Sequence, residues 1–316
     1  MKYRPLGNSG LLVSVVGLGC NNFGGRIDRS ASRAVIDAAL DEGVTLFDTA
    51  DMYGDGGGSE ELLGEFLGSR RDQVVLATKF GHQDADMGYG AGAGAKGGRA
   101  YIRRAVVESL RRLRTDHIDL YQLHTPDPVT PIAETLAALH ELVIEGKVRY
   151  VGHSNMAGWQ LAEAEHVSRE HGFSRFISVQ NQWSLLDRDI EREVVPAAQH
   201  YGVGVLPYFP LAQGLLTGKV RRGVPIPEGT RLAGRAHLVT ERRLDQVEQL
   251  RTFAEKLNRS LLDLAIGGML ARPVVGSVIS GASRPEQVRA NVAAGSWQPT
   301  PDELATIDEI TKPMAD

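Results

Sequence analysis

Short apolar runs and longer amphipathic runs alternate along most of the chain. The short runs are bounded by glycine, proline or polar residues, which is typical of buried parallel strands. The longer runs carry apolar residues three and four positions apart, which is typical of helices that pack one face against a sheet. Eight strands with intervening helices predict an α/β fold, a (β/α)8 TIM barrel that occupies residues 1–316 as a single domain.

The same pattern bounds the predicted elements. The strands are Val15–Leu18, a run of Val44, Leu46 and Phe47, then Gln73–Thr78, Ile118–Leu123, Val148–Gly152, Phe176–Gln180, Gly204–Pro207 and Gly276–Ile279. A first helix runs from an N-cap at Ser30 to Leu40. The later helices are one opened by Ser59 and carrying Leu62 to Leu67, then Tyr101–Leu113, Pro131–Glu145, Met156–His171, Ile190–Tyr201, Glu241–Leu257, Leu261–Ala271, Pro285–Val292 and Pro301–Ile310.

Three segments depart from the alternation. Tyr3–Leu6 and Leu11–Ser14 flank a glycine-bounded turn, which predicts an N-terminal β-hairpin that covers the bottom of the barrel. The segment Leu211–Thr240 holds several glycine and proline residues, which indicates a long functional loop. The glycine-rich run from Gly90 to Lys96 lacks the Ser or Thr that follows the lysine of a phosphate-binding loop. We therefore expect it to be a mobile flap over the active site.

Composition and charge narrow the classes of partner. The formal net charge is −4 and there is no long basic run, which argues against nucleic acid as a main partner. No stretch reaches the roughly 18 to 20 apolar residues of a membrane span, and the N-terminus lacks the apolar core of a signal peptide. Cys20 is the one cysteine, so no internal disulfide can form. We expect a cytoplasmic protein that does not bind membranes.

Four polar residues are predicted to meet at the carboxyl ends of neighbouring strands. Asp48 ends the second strand, Lys79 follows the third, His124 follows the fourth, and Tyr53 lies in the loop after Asp48. A free tyrosine, with a pKa of about 10, is a poor acid or base at neutral pH unless a cation stabilises its phenolate. We expect Asp48 to keep Lys79 protonated and the Lys79 ammonium to lower the pKa of Tyr53. Each pKa unit is worth roughly 1.4 kcal/mol.

Several motifs occur in the order found in one enzyme family. They are Phe47-Asp48-Thr49-Ala50, Tyr53-Gly54, Ser59-Glu60, Leu63-Gly64, Lys79, His124, Gly152-His153-Ser154-Asn155, Val179-Gln180 and the block from Pro210 to Lys219. Over nearly the whole chain they resemble the aldo-keto reductases, including the branch that resembles channel β-subunits. The resemblance implies a TIM-barrel oxidoreductase that reduces aldehydes or ketones to alcohols with NADPH. It also implies that Tyr53 is the general acid, that Lys79 depresses its pKa, that Asp48 supports Lys79, and that His124 orients the substrate carbonyl.

The same resemblance implies a set of cofactor-binding residues. Ser154, Asn155 and Gln180 would hold the nicotinamide carboxamide, and Tyr208 would stack on the ring. The other implied positions are Pro210, Leu211 and Gln213, then Gly214, Leu215, Gly218 and Lys219 over the pyrophosphate, and Gly281, Ser283, Arg284, Gln287 and Asn291 at the adenosine end. Ser283 and Arg284 precede a predicted helix, so a helix N-terminus and a guanidinium together favour a 2′-phosphate. NADP is therefore expected over NAD.

The substrate pocket is harder to assign. We assign its apolar walls to Phe23, Met52, Tyr89 and Trp183. Four positions depart from the family pattern, namely His153 in place of a small or apolar residue, Ser280 in place of proline, Trp183 in place of tyrosine and Phe209 in place of serine. None of them belongs to the catalytic tetrad, so they bear on the cofactor grip and the pocket shape.

Two other functions stay open on the sequence. A metal-dependent hydrolase on the same barrel could use Asp48, His82, His124 and His153, but it lacks a His-x-His pair after the first strand and leaves Lys79 without a purpose. We therefore expect no metal. A non-catalytic, nicotinamide-binding regulatory subunit is the second alternative, because channel β-subunits resemble aldo-keto reductases. The sequence does not determine the carbonyl substrate, the reaction direction, the oligomeric state or the conformation of the loop 84–99.

Overall fold

An antiparallel hairpin opens the chain in the computed structural model, which describes residues 1–226 and 232–313. Its strands are β1 (Tyr3–Pro5) and β2 (Leu12–Ser14). The buried side chains of the hairpin contact inward-facing residues of the barrel strands, and this cluster comprises Leu6, Leu11, Val13, Leu46, Ala77, Leu120, Leu206 and Ile279. Burying apolar surface there closes one end of the barrel. The predicted hairpin is confirmed.

Eight parallel strands form one sheet in the described part of the chain. They are β3 (Val16–Gly19), β4 (Leu46–Asp48), β5 (Val75–Phe80), β6 (Ile118–Leu123), β7 (Val148–Ser154), β8 (Phe176–Gln180), β9 (Gly204–Val205) and β10 (Val278–Gly281). Neighbours in the sheet follow chain order, and β10 returns to pair with β3. At the remaining seam the Val205 amide donates to the Val274 carbonyl at 2.8 Å, and the Ile279 amide donates to the Pro207 carbonyl at 3.1 Å. The predicted (β/α)8 barrel is confirmed.

Helices surround the barrel. They are α1 (Arg29–Asp41), α2 (Tyr53–Leu67), α3 (Arg99–Leu113), α4 (Ile132–Ile144), α5 (Gly158–His171), α6 (Val194–Tyr201), α7 (Glu241–Lys256), α8 (Leu261–Leu270), α9 (Pro285–Ala294) and α10 (Pro301–Ile310). In α2, the residues Gly54 to Gly57 have non-helical backbone angles, so the regular helix begins near Ser59, as predicted. None of the helices in the described residues is both long enough and apolar enough to span a membrane.

Several helix starts differ from the prediction by one or more residues, and two of the differences have a clear local cause. The N-cap of α1 is Asp28, whose side chain accepts the Ala31 amide at 2.8 Å, instead of Ser30. The predicted helix Ile190–Tyr201 is divided into a 3-10 turn and α6. Pro196 lies in the first turn of α6, and because it has no amide hydrogen, a helix from upstream cannot continue through it.

The predicted loop Leu211–Thr240 contains two 3-10 turns, Ala212–Thr217 and Ala236–Leu238. Residues 227–231 of this segment lie outside the described residues. The first turn packs its buried side chains Ala212, Leu215 and Leu216 into the apolar layer beneath α7 and α8. That packing fixes the start of the loop over the carboxyl end of the barrel.

Candidate active site

A cavity of about 1140 Å³ opens at the carboxyl ends of the barrel strands. Most of the residues predicted for the site lie on its wall. They are Asp48, Met52, Tyr53, His124, Ser154, Asn155, Gln180, Tyr208, Pro210, Leu211, Gln213, Gly214, Lys219, Gly281, Ser283, Arg284, Gln287 and Asn291. The parallel strands deliver these residues to one rim because all of their carboxyl ends point the same way.

An ion pair lies at the floor of the cavity. Lys79 is fully buried, and its Nζ donates to Asp48 Oδ2 at 2.7 Å. The other carboxylate oxygen, Asp48 Oδ1, accepts the side-chain amides of Gln180 at 2.9 Å and Gln122 at 3.3 Å. Burial lowers the pKa of Lys79, but the adjacent Asp48 carboxylate raises it, and the net pKa lies above the ordinary value of a lysine. Lys79 is therefore an ammonium at neutral pH.

Tyr53 follows this ion pair in the loop after β4. Its half-buried ring lines the cavity, with Lys79 Nζ 5.0 Å from the ring centroid and the His124 ring 5.7 Å away, edge on. Burial raises the pKa of the Tyr53 phenol, and the Lys79 ammonium opposes that rise without cancelling it. The predicted contribution of Lys79 is present, but the net direction is opposite to the predicted one, because the ring loses hydration and Asp48 disfavours the phenolate. The phenol keeps its proton at neutral pH.

His124 is a neutral imidazole. Burial, followed by the charge of Lys79 and the proximity of His82, holds the pKa of His124 well below its usual value. Its Nδ1 is buried and has no hydrogen-bond partner among the described residues. The His82 ring lies edge-on at 4.7 Å, and His82 Nδ1 accepts the Asp84 amide at 3.2 Å. That bond puts the proton of neutral His82 on Nε2.

Four predicted cofactor residues form a connected polar group. The side-chain nitrogen of Asn155, a residue with left-handed backbone at φ 61°, donates to the His124 carbonyl and to Ser154 Oγ, both at 3.0 Å. The Tyr208 hydroxyl donates to Asn155 Oδ1 at 2.8 Å, and Ser154 Oγ donates to the backbone carbonyl of Gln180 at 2.6 Å. Because these bonds link neighbouring barrel loops, the hydroxyl, amide and ring groups are held together at one place.

The cavity wall is rich in cationic groups. Asp48 is the one carboxylate among the described lining residues, and the cationic ones are Arg26, Lys219, Arg235 and Arg284. Because Lys79 neutralises Asp48, the wall carries a positive field that attracts anions. At one end, the Ser283 amide and hydroxyl bind Gln287 Oε1 at 2.7 and 3.1 Å, directly before α9.

Comparison with known proteins identifies the family. A sequence model of the Aldo/keto reductase family matches residues 15–312. The chain belongs to this family. Aldo/keto reductases as a class act on carbonyl groups, so membership supports an oxidoreductase with a carbonyl substrate. The cluster of Asp48, Tyr53, Lys79 and His124 lies where such chemistry needs polar groups, at the carboxyl end of the barrel.

Individual relatives match over nearly the whole chain. The chain is 40% identical over 301 residues to the Bacillus subtilis (strain 168) protein named Uncharacterized oxidoreductase YrpG, covering 93% of this chain and 91% of the relative. It is 34% identical over 323 residues to the L-glyceraldehyde 3-phosphate reductase of Escherichia coli (strain K12), covering 98% and 92%. It is also 34% identical over 330 residues to the Putative voltage-gated potassium channel subunit beta of Schizosaccharomyces pombe (strain 972 / ATCC 24843), covering 98% and 92%.

Some residues predicted for this aldo/keto reductase site lie elsewhere. Phe23 and Trp183 are fully buried in the apolar layers around the barrel, and Trp183 Nε1 donates to Glu191 Oε1 at 2.9 Å. Tyr89 packs on Tyr101 with ring centroids 5.2 Å apart. None of these three side chains lines the cavity. Phe23 and Trp183 lie in the core because large rings gain most by leaving water, whereas the half-buried Tyr89 packs on a neighbouring ring. Met52 does line the cavity.

Two of the predicted cofactor positions also do not line the cavity. Leu215 is fully buried in the apolar layer under α8, and Gly218 lies in the same loop without reaching the cavity. The glycine-rich run from Gly90 to Lys96, the predicted flap over the active site, does not line the cavity either. The loop 84–99 is folded on itself by Lys96, whose Nζ donates to the carbonyls of His82, Gln83 and Ala85 at 2.6, 2.7 and 2.6 Å.

One buried residue of the site was not predicted. Gln122 is fully buried and donates to Asp48 from the middle of the barrel. It lies on β6, two positions before His124, which directly follows that strand, and side chains two apart along extended backbone share a face. That alternation is the signal that could have identified it.

The hydrolase alternative finds no support in the geometry. Across residues 1–226 and 232–313, no three His, Cys, Asp or Glu side chains converge so that they could hold a metal ion. His153 is fully buried with its ring 5.0 Å from that of Phe176, and burial lowers the pKa of His153 to about 3. This histidine packs in the core and does not line the cavity.

Proposed function

We propose that this aldo/keto reductase reduces aldehydes or ketones to alcohols with NADPH, and that Tyr53 is the proton donor. The observation that carries the proposal is the arrangement at the cavity floor. A protonated Tyr53 lies beside the buried ion pair of Lys79 and Asp48 and edge-on to a neutral His124. Together these groups can give a proton to an oxygen atom and stabilise the charge that the proton leaves behind.

The residues around the cavity fit NADPH. The cationic wall suits phosphates, the hydroxyl and amide groups of Ser154 and Asn155 suit a carboxamide, and the planar Tyr208 can cover one face of a ring. Ser283 and Arg284, at the N-terminus of α9, would hold a 2′-phosphate. When bound, the reduced nicotinamide supplies a hydride to the carbonyl carbon.

The proton step follows from the charges of the protein groups. Reduction turns the carbonyl oxygen into an alkoxide, which is a far stronger base than a phenolate, so the Tyr53 phenol gives its proton to that oxygen. The Lys79 ammonium then stabilises the Tyr53 phenolate, and Asp48 holds Lys79 in position at 2.7 Å. The low pKa of His124 matters here, because a neutral imidazole donates a hydrogen bond to the same oxygen without competing as the acid.

NADPH oxidation, followed by nicotinamide absorbance over a panel of small aldehydes, dicarbonyls and ketones, tests the proposal. We expect wild-type turnover, and for Tyr53→Phe a loss of about 100-fold to 10,000-fold in kcat with NADPH binding retained. Tyr121→Phe is the matched control, because it removes the same phenol hydroxyl. The Tyr121 ring is buried and does not line the cavity. This variant should keep the wild-type rate.

A different outcome would favour another function. If wild type and Tyr53→Phe both bind NADPH and neither turns over any carbonyl of the panel, catalysis is unsupported. A nicotinamide-binding regulatory role then takes its place, in line with the name of the Schizosaccharomyces pombe relative.

A further inference from the structure

The cationic groups of the cavity wall divide between two regions. Arg284 precedes α9, and Lys219 and Arg235 belong to the segment after β9, where the Arg235 side chain contacts Gln213. Arg284 and Lys219 are positions proposed for the cofactor, and Arg235 contacts a third such position, Gln213. Arg26 instead belongs to the loop between β3 and α1, which the proposed cofactor site does not use.

The loop that carries Arg26 rests on the loop that carries the catalytic tyrosine. A Cβ on Gly24 would lie 3.0 Å from the carbonyl carbon of Gly58. A Cβ on Gly54, the residue after the tyrosine, would lie 2.6 Å from the carbonyl oxygen of Phe23. Both glycines also have positive φ, 70° and 71°, so the two backbones approach as closely as glycine permits. The loop just before Arg26 is therefore packed against the backbone that follows Tyr53.

No described residue forms an ion pair with the guanidinium of Arg26, which is exposed on the cavity wall. The one carboxylate of the described lining, Asp48, is already paired with Lys79. A guanidinium binds phosphate or carboxylate through two parallel N–H donors, so an arginine without a protein carboxylate is suited to an anionic ligand.

We propose that Arg26 binds an anionic group, a phosphate or a carboxylate, on the carbonyl substrate. The site therefore prefers anionic aldehydes over neutral ones of the same shape. This proposal rests on the proposed function, since it names the substrate class of the same cavity.

Two matched substrate pairs test it. One is 4-carboxybenzaldehyde against methyl 4-formylbenzoate, and the other is glycolaldehyde phosphate against glycolaldehyde. We expect wild type to have the higher kcat/KM on the charged member of at least one pair. Arg26→Gln should reduce that preference by about 10-fold to 100-fold, mainly through KM, since a charge-assisted hydrogen bond is lost. Arg26→Lys should keep part of this preference. The substrate pair whose preference falls more in Arg26→Gln shows whether the bound group is a carboxylate or a phosphate.

The control is Arg259→Gln, which removes the same charge from an exposed position after α7, outside the cavity. It should keep the wild-type preference. Three results would overturn the proposal: wild type shows no preference, Arg26→Gln loses both members of a pair equally, or Arg26→Gln raises KM for NADPH while the preference stays. The last result would assign Arg26 to the cofactor.

Calorimetric binding of 4-(hydroxymethyl)benzoate, with and without NADP⁺, separates this proposal from the proposed function. If wild type reduces no aldehyde but binds this carboxylate, and Arg26→Gln does not bind it, the reductase function fails and the anion site stands. If wild type reduces aldehydes and Arg26→Gln leaves both the preference and the carboxylate binding unchanged, the reductase function stands and the anion site fails.

Discussion

Two buried carboxylates lie three residues apart, Asp48 at the end of β4 and Asp51 in the loop that follows, and their surroundings differ. Asp48 has a partner for each oxygen, with Lys79 on one and two glutamine amides on the other. Neither oxygen of Asp51 accepts a well-formed hydrogen bond from the described residues, and the Met52 amide gives only a weak contact. Burial and then the nearby Glu60 raise the pKa of Asp51 to about 7.

Asp51 lies in a buried group with Glu60, Thr78, Arg112 and Tyr121, here called the Asp51 cluster, and this cluster is only partly paired. Glu60 is fully buried and accepts Arg112 Nε at 2.7 Å and the Thr78 hydroxyl at 2.6 Å. The Tyr121 hydroxyl has no hydrogen-bond partner among the described residues. The comparison shows that burial alone does not fix a charge. A buried carboxylate keeps its charge when hydrogen-bond and ion-pair partners stabilise it, and Asp48 at the cavity floor has such partners.

The largest effect is expected from breaking the Asp48 cluster, which comprises Asp48, Lys79, Gln122, Gln180 and the neighbouring Tyr53. Lys79→Met leaves the Asp48 carboxylate buried and unpaired, and removing one partner of a buried pair typically lowers the free energy of unfolding by about 3–5 kcal/mol. Urea unfolding followed by circular dichroism at neutral pH measures the loss. The double variant Asp48→Asn/Lys79→Met should recover part of it. A loss for Lys79→Met as small as that of a surface pair, under about 1 kcal/mol, would contradict the pairing.

The Asp51 cluster should instead respond to pH. Because the pKa of Asp51 is raised from 3.8 to about 7 in the folded chain, the folded state binds the extra proton, and stability falls as pH rises from about 4 to about 7. At about 1.4 kcal/mol per pKa unit, the decline is on the order of 4 kcal/mol. Asp51→Asn cannot titrate, so urea unfolding across this range should show its stability rising relative to wild type. Parallel pH curves for the two proteins would refute the assignment.

A smaller effect is expected at Gln122. Gln122→Leu removes one donor from Asp48 but leaves Gln180 and Lys79 in place, so the free energy of unfolding should fall by about 1 kcal/mol. Gln122→Met, which also lacks the amide, is the matched variant for side-chain length. Should both variants be as stable as wild type, the 3.3 Å contact of Gln122 with Asp48 contributes nothing.

The smallest effect is expected from removing the unpartnered hydroxyl. Tyr121→Phe keeps the ring stacked on Phe80, where the centroids are 4.7 Å apart, and removes no protein hydrogen bond of the described part. The unfolding free energy should change by less than about 1 kcal/mol. A clearly larger loss in urea unfolding would show that the hydroxyl is satisfied after all.

The fold follows closely from the sequence because each strand is a short apolar run with clear ends. The predicted Ile118–Leu123 and Phe176–Gln180 match the observed strands residue for residue. The pairing of Asp48 with Lys79 also follows, since Asp48 ends β4 and Lys79 lies one residue before the end of the neighbouring parallel strand β5.

What the sequence could not supply depends on assembled surroundings. Phe23 and Trp183 lie in loops directly after strands, where pocket residues also lie. The path of each loop, which the sequence does not show, places their side chains in the core. The net pKa of Tyr53 depends on how much water the finished cavity removes from the ring, and that quantity has no local sequence signal. Asp51 has the sequence context of a turn residue, yet it is fully buried in the folded chain near Glu60 of α2 and Arg112 of α3.

The most direct measurement is the single-turnover rate of nicotinamide oxidation with NADPH already bound, for wild type, Tyr53→Phe and Tyr121→Phe on the best aldehyde of the panel. Prebinding the cofactor separates the chemical step from binding. If Tyr53 is the acid of the Asp48 cluster, Tyr53→Phe should slow this step by at least about 100-fold with an unchanged Kd for NADPH, while Tyr121→Phe keeps the wild-type rate. A Tyr53→Phe protein that oxidises bound NADPH as fast as wild type would contradict the role of Tyr53 as proton donor.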